Sequence, residues 1–303
     1  MHRLRTDRLL SGIESSLDAM HEDIGILAAP DYQEETLHHY RVNGRRMTTI
    51  TDLCYRLTMD QGFKKARRQS RALVVPTRNL RDLDVALASL RNFPRHDWTD
   101  SFSLTLQQRK QKAFTLFETN LVKSWHQQYD RLKRFVSEFR NRDIIPVYSL
   151  ATIMENRKNK MQMKKEHAQR YPVQETLHKL RLAVKRLRYS LDTGFPGEYP
   201  ETINALKLIQ DDLGRAHDAD VQMDLALKTL ADQNHVLHNL QTLRSILNHY
   251  EIRESAGLDL MLKEIPEDAG RYLKFLYRER MNHYLSFRHN WEVNNHELSI
   301  IFT

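Results

Sequence analysis

The sequence predicts an all-α protein made of two related helical bundles. Glycine (9) and proline (8) are scarce among the 303 residues, so the chain has few of the residues that end helices and form turns. Apolar residues, which make up 40% of the chain, recur at intervals of three or four. That interval is the period of an amphipathic helix, and no convincing run alternates at the period of a β-strand.

Individual helices are predicted where this periodicity runs between prolines and glycines. An apolar stripe from Phe114 to Phe139 predicts one long helix over roughly Leu104–Arg140. Breaks are predicted at "AAPDY", "VVPTR", "NFPRHD", "RDIIPVY", "QRYPVQ", "DTGFPGEYP" and "KEIPEDAG". The other predicted helices are Arg5–Leu27, Gln33–Asp60, Gly62–Val75, Arg81–Arg91, Val173–Asp192, Glu201–Leu213, Ala216–Leu230, Leu237–Tyr250 and Pro266–Tyr284.

An internal repeat divides the chain into two halves. The stretch "LHHYRVNGRRMT" at Leu37–Thr48 has a near copy, "LHKLRLAVKRLR", at Leu177–Arg188, an offset of 140 residues. Farther along, "RNLRDLDVAL" and "GRAHDADVQM" repeat an Asp-x-Asp-Val pattern at an offset of 136. We therefore predict one helical bundle over residues 1–150 and a second over 151–303. The basic run "NRKNKMQMKKEHAQR" near the boundary is interpreted as a solvated linker, with a frayed helix as the alternative.

The charge of the chain predicts an anionic partner. The formal net charge is +8 and the pI is about 9.5, which is typical of proteins that bind polyanions or anionic surfaces. The charge is also concentrated, because His38 to Arg81 contains eleven Lys/Arg but only two acidic residues. A folded surface usually mixes its signs, so this segment is a candidate binding region.

Each copy of the motif places a histidine and several cations on one face of a helix, which we call a ladder. At 100° per residue, the opposite face of the second copy is apolar. That predicted packing face consists of Leu180, Val184, Leu187 and Leu191. The candidate binding residues are His38, Arg41, Arg45, Arg46, His178, Arg181, Lys185, Arg186 and Arg188. Secondary candidates are Lys64, Arg67, Arg71, Arg78 and Arg81.

The ladders need a counter-charge, because like charges four residues apart destabilise an isolated helix. One hypothesis is that the repeated carboxylates Asp82, Asp84, Asp218 and Asp220 pair with the cations inside each bundle. The other is that the ladders line a groove for a polyanion. Arginine and lysine suit phosphate oxygens, and cations about 5 Å apart along a helix suit a linear chain of phosphates. Four carboxylates cannot neutralise every cation, so we favour the polyanion.

These motifs resemble the CHAD (conserved histidine α-helical domain) family over almost the whole chain. The matching residues are His38, Arg41, Val42, Arg45, Arg46, Arg81, Asp82, Asp84 and Val85, then His178, Arg181, Lys185, Arg186, Arg188, Tyr189, Leu213, Gly214, Asp218 and Asp220. The resemblance implies two helical bundles related by a pseudo-twofold axis, with a basic groove or channel between them. It also implies binding of inorganic polyphosphate and, often, association with polyphosphate granules. Our first hypothesis is therefore a non-catalytic protein that binds polyphosphate with both ladders.

The two copies of the pattern differ at particular positions. Thr48 stands where the second copy has Arg188, and His217 stands where the first copy has Arg81. Gly44 weakens the first helix, because glycine has a low helix propensity. The first ladder is therefore expected to be depleted at its carboxyl end, with the basic residues of the next helix as compensation.

Two other functions compete with polyphosphate binding. A nucleic-acid groove would interleave aromatic residues with cations, and only Tyr40 and Tyr189 are candidates, with Tyr40 on the packing face. Phosphoanhydride hydrolysis or transfer would need a metal-binding carboxylate set. The pairs His96–Asp97 and His217–Asp218 lack further ligands in order, so no catalytic, metal or cofactor site is predicted.

The remaining expectations concern the compartment and the partners. Cys54 is the only cysteine, so no intrachain disulfide can form, and a reducing compartment fits. No apolar run is long enough to span a membrane, and the N-terminus lacks the apolar core of a signal peptide. We therefore expect a cytoplasmic protein that binds polyphosphate or another phosphate polyanion and no membrane. The sequence leaves the oligomeric state open.

Overall fold

The computed structural model describes residues 2–29, 31–142, 146–233, 237–250 and 262–299. Within these ranges the chain is almost entirely helical, which confirms the all-α prediction. The helices are α1 (His2–Leu27), α2 (Glu34–Thr58), α3 (Gln61–Val74), α4 (Arg78–Arg91), α5 (Asp97–Asn120), α6 (Trp125–Arg140), α7 (Leu150–Arg170), α8 (Gln174–Gly194), α9 (Pro200–Asp232), α10 (Leu237–Leu247), α11 (Glu267–Val293) and α12 (Asn295–Ser299). None of these described helices is both long and apolar enough to cross a membrane.

The prediction of one long helix over Leu104–Arg140 is wrong. Helix α5 ends at Asn120, a 3-10 turn occupies Val122–Ser124, and α6 begins at Trp125. A straight helix of the predicted length would extend about 55 Å. The break instead allows both flanking segments to bury their apolar stripes in one core with α1 and α2. The stripe was identified correctly, but periodicity does not reveal a change of axis.

Two further expectations need correction. The segments predicted as separate helices on either side of Gly214 form the single helix α9, because buried apolar residues continue through this position. The basic run near the boundary is not a linker but belongs to α7, whose amino end is capped by the Ser149 hydroxyl accepting from the Thr152 amide at 3.0 Å. Helix α7 buries Met154 and Met161, so one face packs while the lysines remain outside.

Three apolar clusters hold the helices together. The first joins α1, α2, α3, the last part of α5 and α6. The second joins α7, α8, the first part of α9 and the last part of α11, together with Leu53 of α2. The third joins α4 and α5 to the second part of α9, α10 and the first part of α11. Residues from both sides of residue 150 therefore share a core, as Phe102 and Tyr272 show.

A buried ionic network fixes α2 against α7 and α8. Asp52 of α2 accepts from Arg56 at 3.0 Å, from Arg67 at 2.5 Å and from Arg157 at 2.5 Å. Arg157 of α7 also donates to the Ser190 hydroxyl of α8. Burial alone would raise the pKa of Asp52, but the three guanidinium groups hold it below its usual value. This network therefore links the two motif helices through Arg157 of α7.

Gly44 of α2 is required by packing against α3. A Cβ at this position would collide with the Cγ2 atom of Val74 and lie 3.2 Å from the Cε atom of Met20. We predict that Gly44→Ala lowers the free energy of unfolding by about 1–3 kcal/mol, because overpacking outweighs the gain in helix propensity. Chemical denaturation measures this difference.

The matched control is Gly25→Ala in α1, where a Cβ would meet nothing within 4 Å. This variant should be neutral or more stable by up to about 1 kcal/mol. Equal effects of the two substitutions would show that helix propensity, and not the contact with α3, decides the role of Gly44.

Candidate functional site

The two motif helices bury their apolar faces and contact each other. On α8, the four residues of the predicted packing face have no exposed surface, and Leu37, Tyr40 and Met47 of α2 are equally buried. This confirms the predicted orientation of both motifs. Contacts also join α8 to α9, α9 to α4, and α4 to α2. The four helices that carry the repeated motifs therefore form a closed ring of contacts.

Cations from three of these helices converge within the ring. We call them the central cation cluster, which consists of Arg41, Arg45, Arg78, Arg81, Arg181 and Lys185. Their charges act on one another across the two halves. Burial, followed by the charges of Arg181 and Arg45, lowers the pKa of Lys185 to about 6. Burial and Arg45 also lower the pKa of Arg41 to about 10, and Asp82 opposes this effect. In the free protein the cluster is thus electrostatically destabilised.

Two carboxylates, Asp82 and Asp218, are the acids that act most strongly on the cluster. Asp218 and Asp82 both favour the charged form of Arg181, although burial still lowers its pKa. Burial, together with the charge of Asp218, raises the pKa of Asp82, which shows that the two acids repel each other. Among the described residues, no carboxylate lies within 4.0 Å of a cation of the cluster. The positive charge remains incompletely matched.

The other two repeated acids, Asp84 and Asp220, are used elsewhere. Each is buried, accepts a hydrogen bond from a tyrosine hydroxyl and forms an ion pair with a cation outside the motifs. The partners are Tyr32 (3.1 Å) and Lys110 (2.7 Å) at Asp84, and Tyr250 (2.5 Å) and Arg280 (3.3 Å) at Asp220. The hypothesis that all four aspartates neutralise the ladders is therefore wrong for these two.

Histidines border the cluster in both halves. His38 is exposed, and its pKa is lowered by partial desolvation and by the charge of Arg81. The rings of His178 and His217 lie 4.8 Å apart with an interplanar angle of 43°. Burial and then Arg181 lower the pKa of both rings, that of His217 to about 3. Both imidazoles are thus neutral at pH 7, when no anion is present.

The profile of the CHAD domain family matches residues 13–227 of this sequence. This range includes both copies of the motif, all of α2, α4 and α8, and α9 as far as residue 227. The chain belongs to the CHAD family.

Solved structures support the CHAD fold at low sequence identity. PptA from Streptomyces chartreusis superimposes with a TM-score of 0.60 at 12% identity, covering 94% of this chain and 98% of that one. The CHAD domain from the plant Ricinus communis gives a TM-score of 0.59 at 18% identity, covering 89% and 90%. No curated protein gives a significant sequence match. At these identities the likeness concerns the fold.

The central cation cluster does not include every predicted binding residue. Arg46 pairs with Asp192 at 3.5 Å, and the Nε atom of Arg188 donates to Gln210 at 2.9 Å. Arg186 is exposed, and it acts on the buried Arg157 and not on the central cation cluster. Among the secondary candidates, Arg78 and Arg81 belong to the cluster, and Arg67 is held by Asp52. The other two, Lys64 and Arg71, are exposed on α3.

His217 was not among the binding residues that the sequence predicted. The repeat aligned it with Arg81, and this alignment was the signal that could have identified it. It lies on α9 beside His178 of α8, so its proximity depends on how two helices pack. Thr77 was also missed, although its hydroxyl accepts from the Nη1 atom of Arg41 at 2.8 Å and holds that side chain in place.

Lys185 should reduce the stability of the free CHAD chain. We predict that Lys185→Met raises the free energy of unfolding at pH 7 by about 1 kcal/mol or more, because it removes a half-buried group that is costly to charge. The unfolded chain binds the lysine proton up to the ordinary pKa of 10.5, whereas the folded chain releases it near 6. The free energy of unfolding of the wild type therefore increases as the pH rises between these two values. The Lys185→Met variant should lack this increase.

Chemical denaturation at about pH 6.5 and pH 9 measures both effects. A lower stability of Lys185→Met, with an unchanged dependence on pH, would contradict the description of Lys185 as a group that the fold makes costly to charge.

Proposed function

We propose that this protein binds inorganic polyphosphate at the central cation cluster and does not catalyse its hydrolysis. The observation that carries the proposal is the convergence of cations from both halves, most of them at least partly buried, which Asp82 and Asp218 oppose without pairing closely with them. Unmatched buried cations are unfavourable in a free protein, so a site that retains them is suited to a ligand that brings negative charge. Polyphosphate brings one negative charge at each internal phosphate.

The helical arrangement favours a linear polyanion over a small anion. Along each ladder, successive cations are about 5 Å apart, and the guanidinium groups can each donate two hydrogen bonds to phosphate oxygens. Because α2 contacts α8, one chain of phosphates can contact both ladders. The proposal includes association with polyphosphate granules in cells that store this polymer.

Nucleic acid is the competing ligand, and the side chains disfavour it. Sequence-tolerant grooves for single strands stack bases on exposed aromatic rings. Tyr40 is fully buried in the first core. Tyr189 is partly covered and lies 4.4 Å from the guanidinium of Arg188. The motifs therefore offer phosphate contacts without a row of stacking platforms.

The position of the site is tested with charge-matched double variants. We predict that Arg45→Ala combined with Arg181→Ala weakens polyphosphate binding at least tenfold at about 150 mM salt, because each arginine lost removes charged hydrogen bonds worth about 1.5–3 kcal/mol. The control, Lys64→Ala with Arg71→Ala, removes the same charge from α3 and should change the affinity by less than about threefold.

Titration of both variants with long-chain polyphosphate, after circular dichroism has shown that they are folded, measures this difference. Equal losses in the two variants would mean that the total charge, and not the central cation cluster, determines binding.

The nature of the ligand is tested by comparing three polyanions. We predict that long-chain polyphosphate binds more tightly than tripolyphosphate, because each additional phosphate engaged releases counterions. A DNA duplex should bind more weakly than long-chain polyphosphate at about 150 mM salt, where non-specific electrostatic binding is weakened.

The same titration, followed by a phosphate-release assay, distinguishes the alternatives. A preference for DNA would overturn the proposed ligand. Steady release of orthophosphate, abolished in the arginine double variant, would show that the site is catalytic.

A further inference from the structure

A pair of histidines with tilted rings borders the central cation cluster in the second half. His178 of α8 and His217 of α9 have ring centroids 4.8 Å apart. The Nδ1 atom of each ring is buried and has no hydrogen-bond partner among the described residues, and the same holds for the Nε atom of Arg181 beside them. Buried polar atoms normally have partners, so these three nitrogens mark a place in the cluster where hydrogen-bond partners are missing.

The groups around the pair are mainly cations. Arg181 and Lys185 face both rings from α8, and Arg78 faces them from α4. Asp218, which is next to His217 on α9, acts instead on Arg181 and Lys185. Burial and these cations together disfavour a proton on either ring in the free protein. An anion bound beside the rings would instead favour the protonated form.

The first half has a different arrangement at the same place in the repeat. His217 corresponds to Arg81 at the offset of 136 residues. Arg81 lowers the pKa of His38 in the first half, and in the second half His178 lowers the pKa of His217. The first half therefore combines a histidine with a permanent cation, whereas the second half combines two groups that are neutral without ligand. The two ends of the site differ in how their charge depends on pH.

We propose that His178 and His217 form a protonatable phosphate subsite, at which binding of one phosphate group is coupled to uptake of a proton by the histidine pair. The inference rests on the proposed function and adds a specificity-determining role for His217. The proton comes from solvent or buffer and binds a ring nitrogen, and no covalent bond to phosphate forms. The imidazolium then donates a charged hydrogen bond to a phosphate oxygen.

Coupled proton uptake makes the affinity depend on pH in one direction. Internal phosphates of polyphosphate are strong acids, so their charge does not change between pH 6 and 8. Each proton taken up on binding increases the affinity by up to about tenfold for each unit that the pH falls. Lys185 can add to this dependence, because its pKa is also low in the free protein. The part of the pH dependence that comes from the histidines is therefore separated from that of Lys185 by substitution.

The experiment measures long-chain polyphosphate affinity at about pH 6 and pH 8, at fixed ionic strength, for four proteins. Wild type should bind at least about tenfold more tightly at pH 6. His217→Gln keeps a polar side chain but cannot take up a proton. The ratio of its affinity at pH 6 to its affinity at pH 8 should therefore be several-fold lower than that of the wild type. Arg81→His creates a second histidine pair and should increase the ratio. His126→Gln, which changes an exposed histidine of α6, should behave as wild type.

Calorimetry in two buffers of different ionisation enthalpy counts the protons directly. The proposal expects uptake by wild type and less uptake by His217→Gln. Binding by wild type with no proton uptake, or equal uptake by wild type and His217→Gln, would overturn it while leaving the proposed function intact. Absence of polyphosphate binding at both pH values would overturn the proposed function itself.

Discussion

Repulsion between the cations of α2 and α8 is the interaction around which this protein is organised. Arg45 of α2 lowers the pKa of both Arg181 and Lys185 on α8, so the two motif helices oppose each other electrostatically. They remain in contact because their apolar faces are buried in two separate cores. The ion pair between Asp52 and Arg157 provides a further tie across the same contact. Packing therefore holds together charges that would otherwise separate.

This opposition explains why the acids of the repeat have different roles. Asp84 and Asp220 are each buried beside a tyrosine and a cation that lie outside the motifs, and their contacts stabilise the surrounding cores. Asp82 and Asp218 act on the cluster without pairing closely, so they moderate its charge and do not cancel it. Under the proposed function, a polyanion completes the neutralisation, and the stability that the cations remove from the free protein reappears as affinity for the ligand.

The sequence was sufficient to predict the all-α class, most of the helices and the apolar face of α8, because these follow from local periodicity. The binding role of the motif residues remains a prediction. It was not sufficient for features that depend on packing between distant helices. Arg46 and Arg188 belong to the motifs but meet Asp192 and Gln210. His217 joins the site only because α9 packs against α8. The domain boundary near residue 150 remains a prediction, and the third core includes helices from both sides of it.

The measurement that tests this description most directly is a double-mutant cycle of unfolding free energies for Arg45→Ala and Arg181→Ala at low salt, without polyanion. If Arg45 and Arg181 repel each other, each single substitution already removes the whole repulsion. The unfolding free energy of the double variant should therefore be lower than the value obtained by adding the two single changes. The coupling should be about 0.5 kcal/mol or more and should shrink as salt is added. Strictly additive effects would show that the two arginines do not oppose each other, and the central cation cluster would not be one site.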